Sequence, residues 1–282
     1  MVTITSLDNP TVKYVRALGR RRERQRERAF VAEGARLLEE ALQAGADPRV
    51  VLLARDLLGE GQAQDRLLIR LAEAQERWGR GMRVLEVTPA VLQSVSETES
   101  PQGIVGVFPF PERRQPAAGT PLLVVADGVR DPGNLGAMLR SALGAGATAF
   151  YTSPATVDLY NPKVVRAAMG AHFRLALRSN VGWEALDEAL DGCEAVWGAD
   201  AAGETDYSAA DWIAPTAVVV GNEDRGITPE GRERCTGTVT IPLAGGLESL
   251  NAAVAASVIL FEAARQRRAA GASRQSAGSG RQ

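Results

Sequence analysis

Apolar runs alternate with helix-like stretches along the second half of this 282-residue chain. Such continuous runs are typical of strands that are buried on both faces of a parallel sheet. They lie at residues 122–126, 148–151, 194–199, 217–220 and 239–241. Residues 250–267 follow as a long helix that is apolar nearly all round, and is therefore predicted to be buried. The pattern predicts an α/β domain with helices on both faces of the sheet.

A shorter alternation of helices and strands occupies the first half. Residues 10–28 have a helical pattern, and residues 35–44 place Leu37, Leu38 and Ala41 on one helical face. Further along, Thr88 followed by proline is typical of a helix start. We expect a compact α/β domain over residues 1–108.

Two segments without an apolar period mark the domain limits. Residues 109–121 contain four prolines and are predicted to form a linker. The second domain then covers residues 122–268. Residues 269–282 are small and polar, and we expect them to be disordered.

Composition narrows the possible chemistry. Hydrophobic residues make up 45% of the chain and charged residues 23%, which is typical of a soluble globular protein. The apolar run at residues 252–261 is too short to span a bilayer, and the N-terminus lacks the layout of a signal peptide, so a cytoplasmic protein is expected. His172 is the only histidine, and Cys193 and Cys235 lack metal-ligand spacing. We therefore expect neither a Ser–His nucleophile nor a metal site.

Positive charge is concentrated near the N-terminus. Residues 13–28 contain eight basic side chains and only two glutamates, although the whole chain carries a net charge of −2. The sequence at this point supports two interpretations, a surface for RNA phosphates or a solvated helix face with Arg–Glu pairs. The RNA-binding candidates are Arg20, Arg21, Arg22 and Arg24.

Three loops follow predicted strands of the second domain, where open parallel sheets place their ligands. The first, residues 127–136, is rich in glycine and leads into a helix; Asn134 stands at its mouth and Arg140 lies six residues further on. The second, residues 221–227, contains Glu223. Taken alone, the first loop is equally compatible with a plain tight turn, and an acid such as Glu223 is usually a solvated side chain of a turn.

The third loop, residues 241–251, runs into the final helix. Ser249 is placed to cap that helix, whereas a buried Asn251 would need hydrogen-bond partners, of which a ligand is one. In the first loop, Gly128, Gly133 and Gly136 do not have the spacing of a dinucleotide-binding fingerprint. A nicotinamide-dependent dehydrogenase is therefore disfavoured.

In order along the chain, the three loops resemble the signature motifs of the SpoU (TrmH) family of RNA 2′-O-ribose methyltransferases, in the SPOUT superfamily. A fourth matching segment lies between the first two motifs, and the first domain resembles the substrate-binding domain of the ribosomal-RNA members. The resemblance covers about residues 2–267. The matching segments read DGVRDPGNLGAMLRSA, VDLYNPKVVRAAMGAHFRL, VVVGNEDRGI and IPLAGGLESLNAAVAASVILFEA.

The resemblance implies a knotted (trefoil) parallel-sheet domain with a smaller α/β RNA-binding domain, an obligate homodimer, and S-adenosylmethionine as cofactor. By position, cofactor contacts would come from Gly221, Ile241 and Leu250. The matching polar functional residues are Asn134, Arg140, Glu223, Ser249 and Asn251. The chain departs from the family at Ala168, Ala176 and Ala252–Ala253, none of which stands at an expected catalytic position.

The same resemblance suggests roles for these side chains. Arg140 would stabilise negative charge that develops on the 2′-oxygen, and because a guanidinium stays protonated, a substrate phosphate or water would take the proton. Asn134 and Glu223 would organise the Arg140 loop, and Ser249 and Asn251 would fix the ribose or the loops. The extra domain favours large-subunit (23S) ribosomal RNA as substrate. Transfer RNA and a non-catalytic RNA-binding protein on the same fold are the alternatives.

Overall fold

A computed structural model describes residues 3–111 and 115–279. The N-terminal elements are α1 (Pro10–Ala17), α2 (Arg21–Glu27), β1 (Ala29–Glu33), α3 (Ala35–Gln43), β2 (Val50–Leu53), α4 (Arg55–Leu58), α5 (Gln62–Trp78), β3 (Arg83–Glu86), α6 (Pro89–Gln93) and β4 (Ile104–Pro109). The following elements are β5 (Leu122–Ala126), α7 (Pro132–Ala145), β6 (Ala149–Thr152), α8 (Pro162–Ala167), β7 (Ala176–Arg178), α9 (Trp183–Leu190), β8 (Ala195–Ala199), β9 (Thr205–Asp206), β10 (Thr216–Val220), α10 (Pro229–Glu233), β11 (Gly237–Thr240) and α11 (Ala252–Ser279). Within the described parts, no helix is long and apolar enough to cross a membrane.

The chain divides into two compact units. The N-terminal unit comprises Met1–Glu112 and Tyr160–Arg174, and the C-terminal unit comprises Arg113–Leu159 and Leu175–Gln282. The predicted linker at 109–121 contains the point where the chain first passes from the N-terminal to the C-terminal unit. Its residues 112–114 lie outside the described parts. The sequence did not predict that residues 160–174 return to the N-terminal unit, because nothing in their local pattern marks them as packing with the first half.

A four-stranded mixed sheet forms the centre of the N-terminal unit, in the order β1-β4-β2-β3. β4 is antiparallel to both of its neighbours, and β2 and β3 are parallel. One core is formed by the apolar side chains of this sheet together with Val12 and Val15 of α1 and Leu18, which directly follows that helix. The predicted start of α6 is confirmed, since Thr88 accepts a hydrogen bond from the Val91 amide.

An aromatic cluster holds the 160–174 segment within the N-terminal unit. The ring of Phe110 stacks on Tyr160 with centroids 3.9 Å apart, and Phe108 meets the edge of Phe173 at 4.9 Å. Phe30 lies between them, 5.1 Å from Tyr160 and 5.7 Å from Phe173. Such aromatic pairs add to the gain from burying their area. The segment is therefore a structural part of the N-terminal unit.

The helix predicted over residues 10–28 is broken into α1 and α2, and this break corrects the role assigned to Arg24. Its side chain is only 2% exposed. The guanidinium donates to the carbonyl oxygens of Leu18 at 2.9 Å and Gly19 at 2.6 Å, which the end of α1 leaves without helical partners. Arg24 is therefore a buried clamp, and its prediction as an RNA contact is wrong.

The C-terminal unit is built on seven parallel strands in the order β7-β6-β5-β10-β8-β11-β9. Every residue of β5 and β10, the two strands with the most continuous apolar runs, is buried. The prediction of a covered parallel sheet is thus confirmed. The short β7 and β9 were not predicted, because three- and two-residue strands carry no usable alternation.

The last helix corrects the prediction of a disordered tail. α11 continues beyond the predicted end at residue 267 to Ser279, while residues 280–282 lie outside the described part. The helix packs against α7, where the hydroxyl groups of Ser141 and Ser257 are hydrogen-bonded at 2.7 Å. Extending an existing helix costs far less than starting one, and seven of the twelve added residues are alanine, arginine or glutamine, the others being three serines and the glycines at 271 and 278.

The aromatic cluster yields a first prediction. Phe30→Ala should lower the free energy of unfolding of the N-terminal unit by about 3–5 kcal/mol, because a fully buried ring is removed from between Tyr160 and Phe173. Hydrogen exchange of the β4 amides should accelerate together with that of residues 160–174. Trp78→Ala, which truncates a ring that is 43% exposed, should change neither. Faster exchange in β4 alone would contradict the structural role of the segment.

Candidate active site

A cavity of about 750 Å³ lies in the C-terminal unit where β8, β10 and β11 end. These three strands are neighbours in the sheet, so their carboxyl ends open at one edge. The volume falls within the range of pockets that hold small molecules and cofactors. Of the predicted site residues, six line it: Gly221, Glu223, Ile241, Ser249, Leu250 and Asn251.

Gly221, directly after β10, permits an unusually close approach of two backbone segments. A Cβ atom at this position would lie 2.1 Å from the carbonyl carbon of Gly226 and 2.2 Å from the amide nitrogen of Ile227. Both distances are far inside van der Waals contact, so no side chain fits. The wall of the cavity is consequently made of main chain at this point.

The loop of residues 241–250 supplies more exposed main chain. Its backbone makes no hydrogen bond of ordinary geometry with other segments of the described chain, and most of its residues are exposed. Backbone N–H and C=O groups always need partners, from protein, water or ligand. This loop and Gly221 therefore present backbone groups with which a ligand can form hydrogen bonds.

Three of the predicted polar residues form a continuous hydrogen-bond relay. Nδ2 of Asn134 donates to Oε1 of Glu223 at 2.8 Å, and Oδ1 of Asn134 accepts from Nδ2 of Asn251 at 2.9 Å. Asn134 lies in the first turn of α7, whose start is fixed by the Asp131 side chain, which accepts from the Asn134 amide at 2.7 Å. The relay joins the three loops that the sequence singled out.

Glu223 is held by several donors at once. Partial burial pushes the pKa of its carboxyl upward, but the hydrogen bond from Asn134 and those from backbone amides, including Arg130 and Asp131, outweigh burial. The net result is a pKa below the ordinary glutamate value. Nδ2 of Asn222 also donates to it at 3.2 Å. Glu223 is thus a fixed carboxylate that carries its negative charge at neutral pH.

The start of α11 differs from the expectation. Oδ1 of Asn251 accepts from the amides of Ala253 at 3.0 Å and Val254 at 3.2 Å, so Asn251 caps the helix instead of Ser249. Asn251 is also exposed within this chain, where the sequence predicted burial. The cap moves because α11 begins two residues later than predicted. Ser249 is exposed at the cavity and makes no hydrogen bond within the described residues.

Arg140 stands apart from the other polar residues of the site. It is exposed on α7 and does not line the cavity of its own chain. Within the described chain its side chain forms no hydrogen bond or ion pair. In the N-terminal unit, Arg20, Arg21 and Arg22 are likewise exposed at the start of α2, and their side chains have no partner among the residues described.

The sequence missed two acidic groups of this unit. Asp127, at the end of β5, is fully buried and accepts from the Ser153 hydroxyl at 2.6 Å and the Thr228 amide at 2.7 Å, which ties three segments together. Asp200 and Arg232 form an ion pair in the cavity wall. The hydrogen bond from Arg232 holds the pKa of Asp200 below its ordinary range. Asp127 is the first residue of the first motif, whereas no local sequence pattern marks Asp200.

Across the described residues, no group of three or more His, Cys, Asp or Glu side chains is arranged to hold a metal ion. Burial raises the pKa of both cysteine thiols to about 11. They are therefore protonated at neutral pH. Neither Cys193 nor Cys235 is in a disulfide.

Comparison with known proteins gives consistent matches. The model of the SpoU rRNA Methylase family matches residues 121–261, and that of the MRM3-like substrate binding domain matches residues 9–106. The 23S rRNA (guanosine(2553)-2′-O)-methyltransferase RlmP of Bacillus subtilis is 32% identical over 93% of this chain and 98% of its own. The 23S rRNA (uridine(2479)-2′-O)-methyltransferase of Streptomyces viridochromogenes is 33% identical over 94% and 92%.

Solved structures agree over the same extent. The AdoMet-bound rRNA methyltransferase from Sinorhizobium meliloti superposes with a TM-score of 0.79 at 32% identity, covering 94% of this chain and 98% of that one. A crystal structure of an RNA 2′-O ribose methyltransferase gives 0.78 at 34% identity, covering 94% and 99%. Both matches extend over the N-terminal and C-terminal units.

The relay predicts a pH-dependent effect at Glu223. Because its folded-state pKa is depressed, the ionised carboxylate contributes stability that is present at neutral pH and is lost as pH falls from about 4.5 through the lower folded value. Glu223→Gln should therefore be less stable than wild type at pH 7, and the gap should narrow in acid. Thermal melts between neutral and acidic pH would measure it, with Glu73→Gln on α5 as an exposed control. A gap that is constant with pH would contradict this account.

Proposed function

Because the chain belongs to the SpoU rRNA methylase family, we propose that it transfers a methyl group from S-adenosylmethionine to a ribose 2′-hydroxyl of RNA. The observation that carries this proposal is the Asn251–Asn134–Glu223 relay beside a backbone-lined cavity. A ligand site alone would account for the cavity. It would not account for polar side chains from three loops joined at its mouth.

Large-subunit ribosomal RNA is the substrate we favour. The N-terminal residues 9–106 match a substrate-binding domain, and the two bacterial relatives are named for 23S rRNA. Transfer RNA stays the second candidate. That the protein acts in the cytoplasm, and that the C-terminal unit is knotted, stay predictions.

The cavity fits S-adenosylmethionine on two observations. Its volume suits a cofactor of this size, and its walls at Gly221 and residues 241–250 offer main-chain donors and acceptors for the polar edges of a nucleoside. Ile241 and Leu250 supply apolar wall beside them. When bound, S-adenosylmethionine supplies an activated methyl group on a sulfonium. These residues would hold it mainly through backbone contacts.

The reaction requires the protein to align the reactants and to stabilise the negative charge that develops on the 2′-oxygen. Positioning of reactants can account for several kcal/mol of barrier. Arg140 would donate to the 2′-oxygen as it gains negative charge, a role for which a permanent cation is suited. Its guanidinium cannot take the proton, which would pass to a substrate phosphate or to water. Glu223 and Asn134 would hold the loops in register, while Ser249 and Asn251 would fix the ribose.

We also propose that the working form is a homodimer in which Arg140 serves the partner's cavity. Val254 and Phe261 are each 48% exposed and lie seven residues apart, hence on one face of α11. Phe261 packs beside Gly144 of α7, where an added Cβ would lie 3.4 Å from its ring. Exposed apolar side chains on one face are typical of a subunit contact. Arg140 is exposed on α7 and does not line the cavity of its own chain. Such a contact would bring it to the partner's cavity and complete that site.

Arg140→Ala separates catalysis from cofactor binding. Turnover should fall by about 10² or more because charge stabilisation at the 2′-oxygen is lost. Calorimetry should show unchanged affinity for S-adenosylmethionine, since the proposed cofactor contacts, Gly221, Ile241 and Leu250, lie in the other two loops. Arg36→Ala, an exposed arginine in the N-terminal unit, is the control. Near-normal turnover would remove Arg140 from the site, and no cofactor binding by wild type at millimolar concentration would favour a non-catalytic RNA binder.

Mixing two inactive variants tests the shared site. Ala255→Trp should block the cavity that Ala255 lines, and Arg140→Ala should remove the arginine. Co-refolded at equal amounts, heterodimers would each contain one intact site, which restores up to about one quarter of wild-type activity under random pairing. A mixture that stays inactive at every ratio would place Arg140 in its own chain's site. Sedimentation of a micromolar sample as a monomer would remove the dimer itself.

The exposed arginines should bind phosphate groups of the RNA. Replacing Arg20, Arg21 and Arg22 together by glutamine should weaken RNA binding and reduce the slope of its salt dependence by roughly 0.7 for each phosphate that these side chains neutralise. Affinity for S-adenosylmethionine should not change. Arg24→Gln is the contrast, because removal of a buried clamp should lower stability and leave the slope unaltered. An unchanged slope in the triple variant would mean that these arginines form only a solvated surface.

A further inference from the structure

A second cavity lies inside the N-terminal unit and contains none of the residues assigned to methyl transfer. Its volume is about 110 Å³. That is several times the ~30 Å³ occupied by one water in the liquid, and well below the size of a cofactor pocket. The cavity therefore has room for one small flat group. Its walls come from the end of α1, the end of β1, the loop after α6, and α8.

Glu33, the last residue of β1, presents a fixed carboxylate to this cavity. Oε1 accepts hydrogen bonds from the hydroxyl groups of Ser96 and Thr98, the latter at 2.6 Å. Among the described residues, Oε2 accepts only from the Glu97 amide, at 3.2 Å. Since a carboxylate oxygen can accept two hydrogen bonds, Oε2 keeps one acceptor position for a ligand. The Glu97 side chain, exposed at the rim, adds a second carboxylate.

Two arginines, Arg16 and Arg166, line the same cavity. Arg16 is engaged with Ser94, donating to its carbonyl at 3.2 Å and its hydroxyl at 2.9 Å. Arg166, on α8, is exposed, and its side chain makes no hydrogen bond or ion pair with any residue that the structure describes. In the described structure, neither guanidinium forms an ion pair with Glu33. A free donor and a free acceptor therefore line the same small cavity.

The remaining walls are apolar. Val15 is 1% exposed, Val31 9% and Val95 8%, and Pro162 closes the side next to Arg166. Apolar walls with polar groups at the edge suit a flat heterocycle, whose faces are apolar and whose rim carries donors and acceptors. They suit a phosphate poorly, because two carboxylates offset the two arginines and a phosphate needs net positive charge.

We infer that this cavity binds a single unstacked guanine of the RNA substrate. Guanine carries two adjacent donors, N1–H and the N2 amino group, beside the acceptor O6. Glu33 Oε2 and the Glu97 carboxylate match the donors, and Arg166 matches O6. Sequence-specific proteins commonly read RNA by taking unpaired bases out of the stack and bonding their Watson–Crick edges. The inference rests on the proposed function, since it presupposes an RNA substrate.

The neighbouring charge supports an RNA ligand. Gly19 lines the cavity, and the exposed Arg20, Arg21 and Arg22 follow it directly in the chain. Arginines at this place would contact phosphates near the bound nucleotide, while the cavity would read its base. The N-terminal unit would then supply sequence preference as well as electrostatic attraction.

Fluorescence anisotropy with short labelled RNAs tests the inference on the full-length protein. A uridine oligonucleotide with one central guanosine should bind about tenfold more tightly than the same strand with adenosine, which lacks N1–H. Glu33→Gln should abolish this preference, whereas Glu73→Gln, the same charge change on exposed α5, should retain it. Inosine, which lacks the N2 amino group, should bind with intermediate affinity. Equal affinities for guanosine and adenosine in wild type would overturn the inference.

Arg166→Gln provides a second variant that leaves the loop around Glu33 intact. It should weaken binding of the guanosine strand several-fold and leave the uridine-only strand unchanged, and Arg36→Gln should do neither. If Arg166→Gln weakens all strands equally and lowers the salt slope, the cavity contacts phosphate and the inference is wrong. Methyl transfer to ribosomal RNA, assayed in parallel, separates the two claims. Transfer without guanine preference overturns the subsite alone, and absence of both RNA binding and transfer overturns the proposed function too.

Discussion

The side-chain amide of Asn134 connects the parts of the proposed site. It is both a donor and an acceptor, and it uses both functions: it donates to Glu223 and accepts from Asn251. These partners lie 89 and 117 residues further along the chain, so one side chain brings three distant loops to the same edge of the sheet. An aspartate would lose the donor and repel Glu223. Glu223, in turn, stays ionised because the Asn134 amide and the backbone N–H groups of Arg130 and Asp131, just before α7, donate to it. The shape of the cavity mouth depends on this arrangement.

Much of this could be predicted from the sequence, because the relevant signals are local. Continuous apolar runs predicted the parallel strands, and the loops that follow them contain Asn134, Glu223 and Asn251. Parallel strands that end at one edge bring such loops together, whatever their separation in the chain. Gly221 was predicted to contact the cofactor, and the structure supplies a steric reason why no side chain fits there. Whether it contacts the cofactor stays a prediction.

What the sequence did not predict depends on tertiary packing. Arg24 has the same charge as its exposed neighbours, but its position beneath the end of α1 turns it into a buried clamp. Residues 160–174 look like part of the second domain until Tyr160 and Phe173 find Phe30 and Phe108. The small cavity beside Glu33 is formed by four segments, of which one comes from beyond the linker, so no sequence window contains it. The position of Arg140 is similar, since its proposed role needs a second chain.

The proposed activity is methylation of the ribose and not of the base. The direct measurement is to incubate the purified protein with ribosomal RNA and S-adenosylmethionine carrying a labelled methyl group, and then to digest the RNA with alkali. A 2′-O-methyl group blocks cleavage of the adjacent phosphodiester, so the account predicts that the label is recovered in alkali-resistant dinucleotides, and that Arg140→Ala removes it. Label recovered in single nucleotides with a methylated base, or no label in the RNA while cofactor binding is intact, would contradict the account.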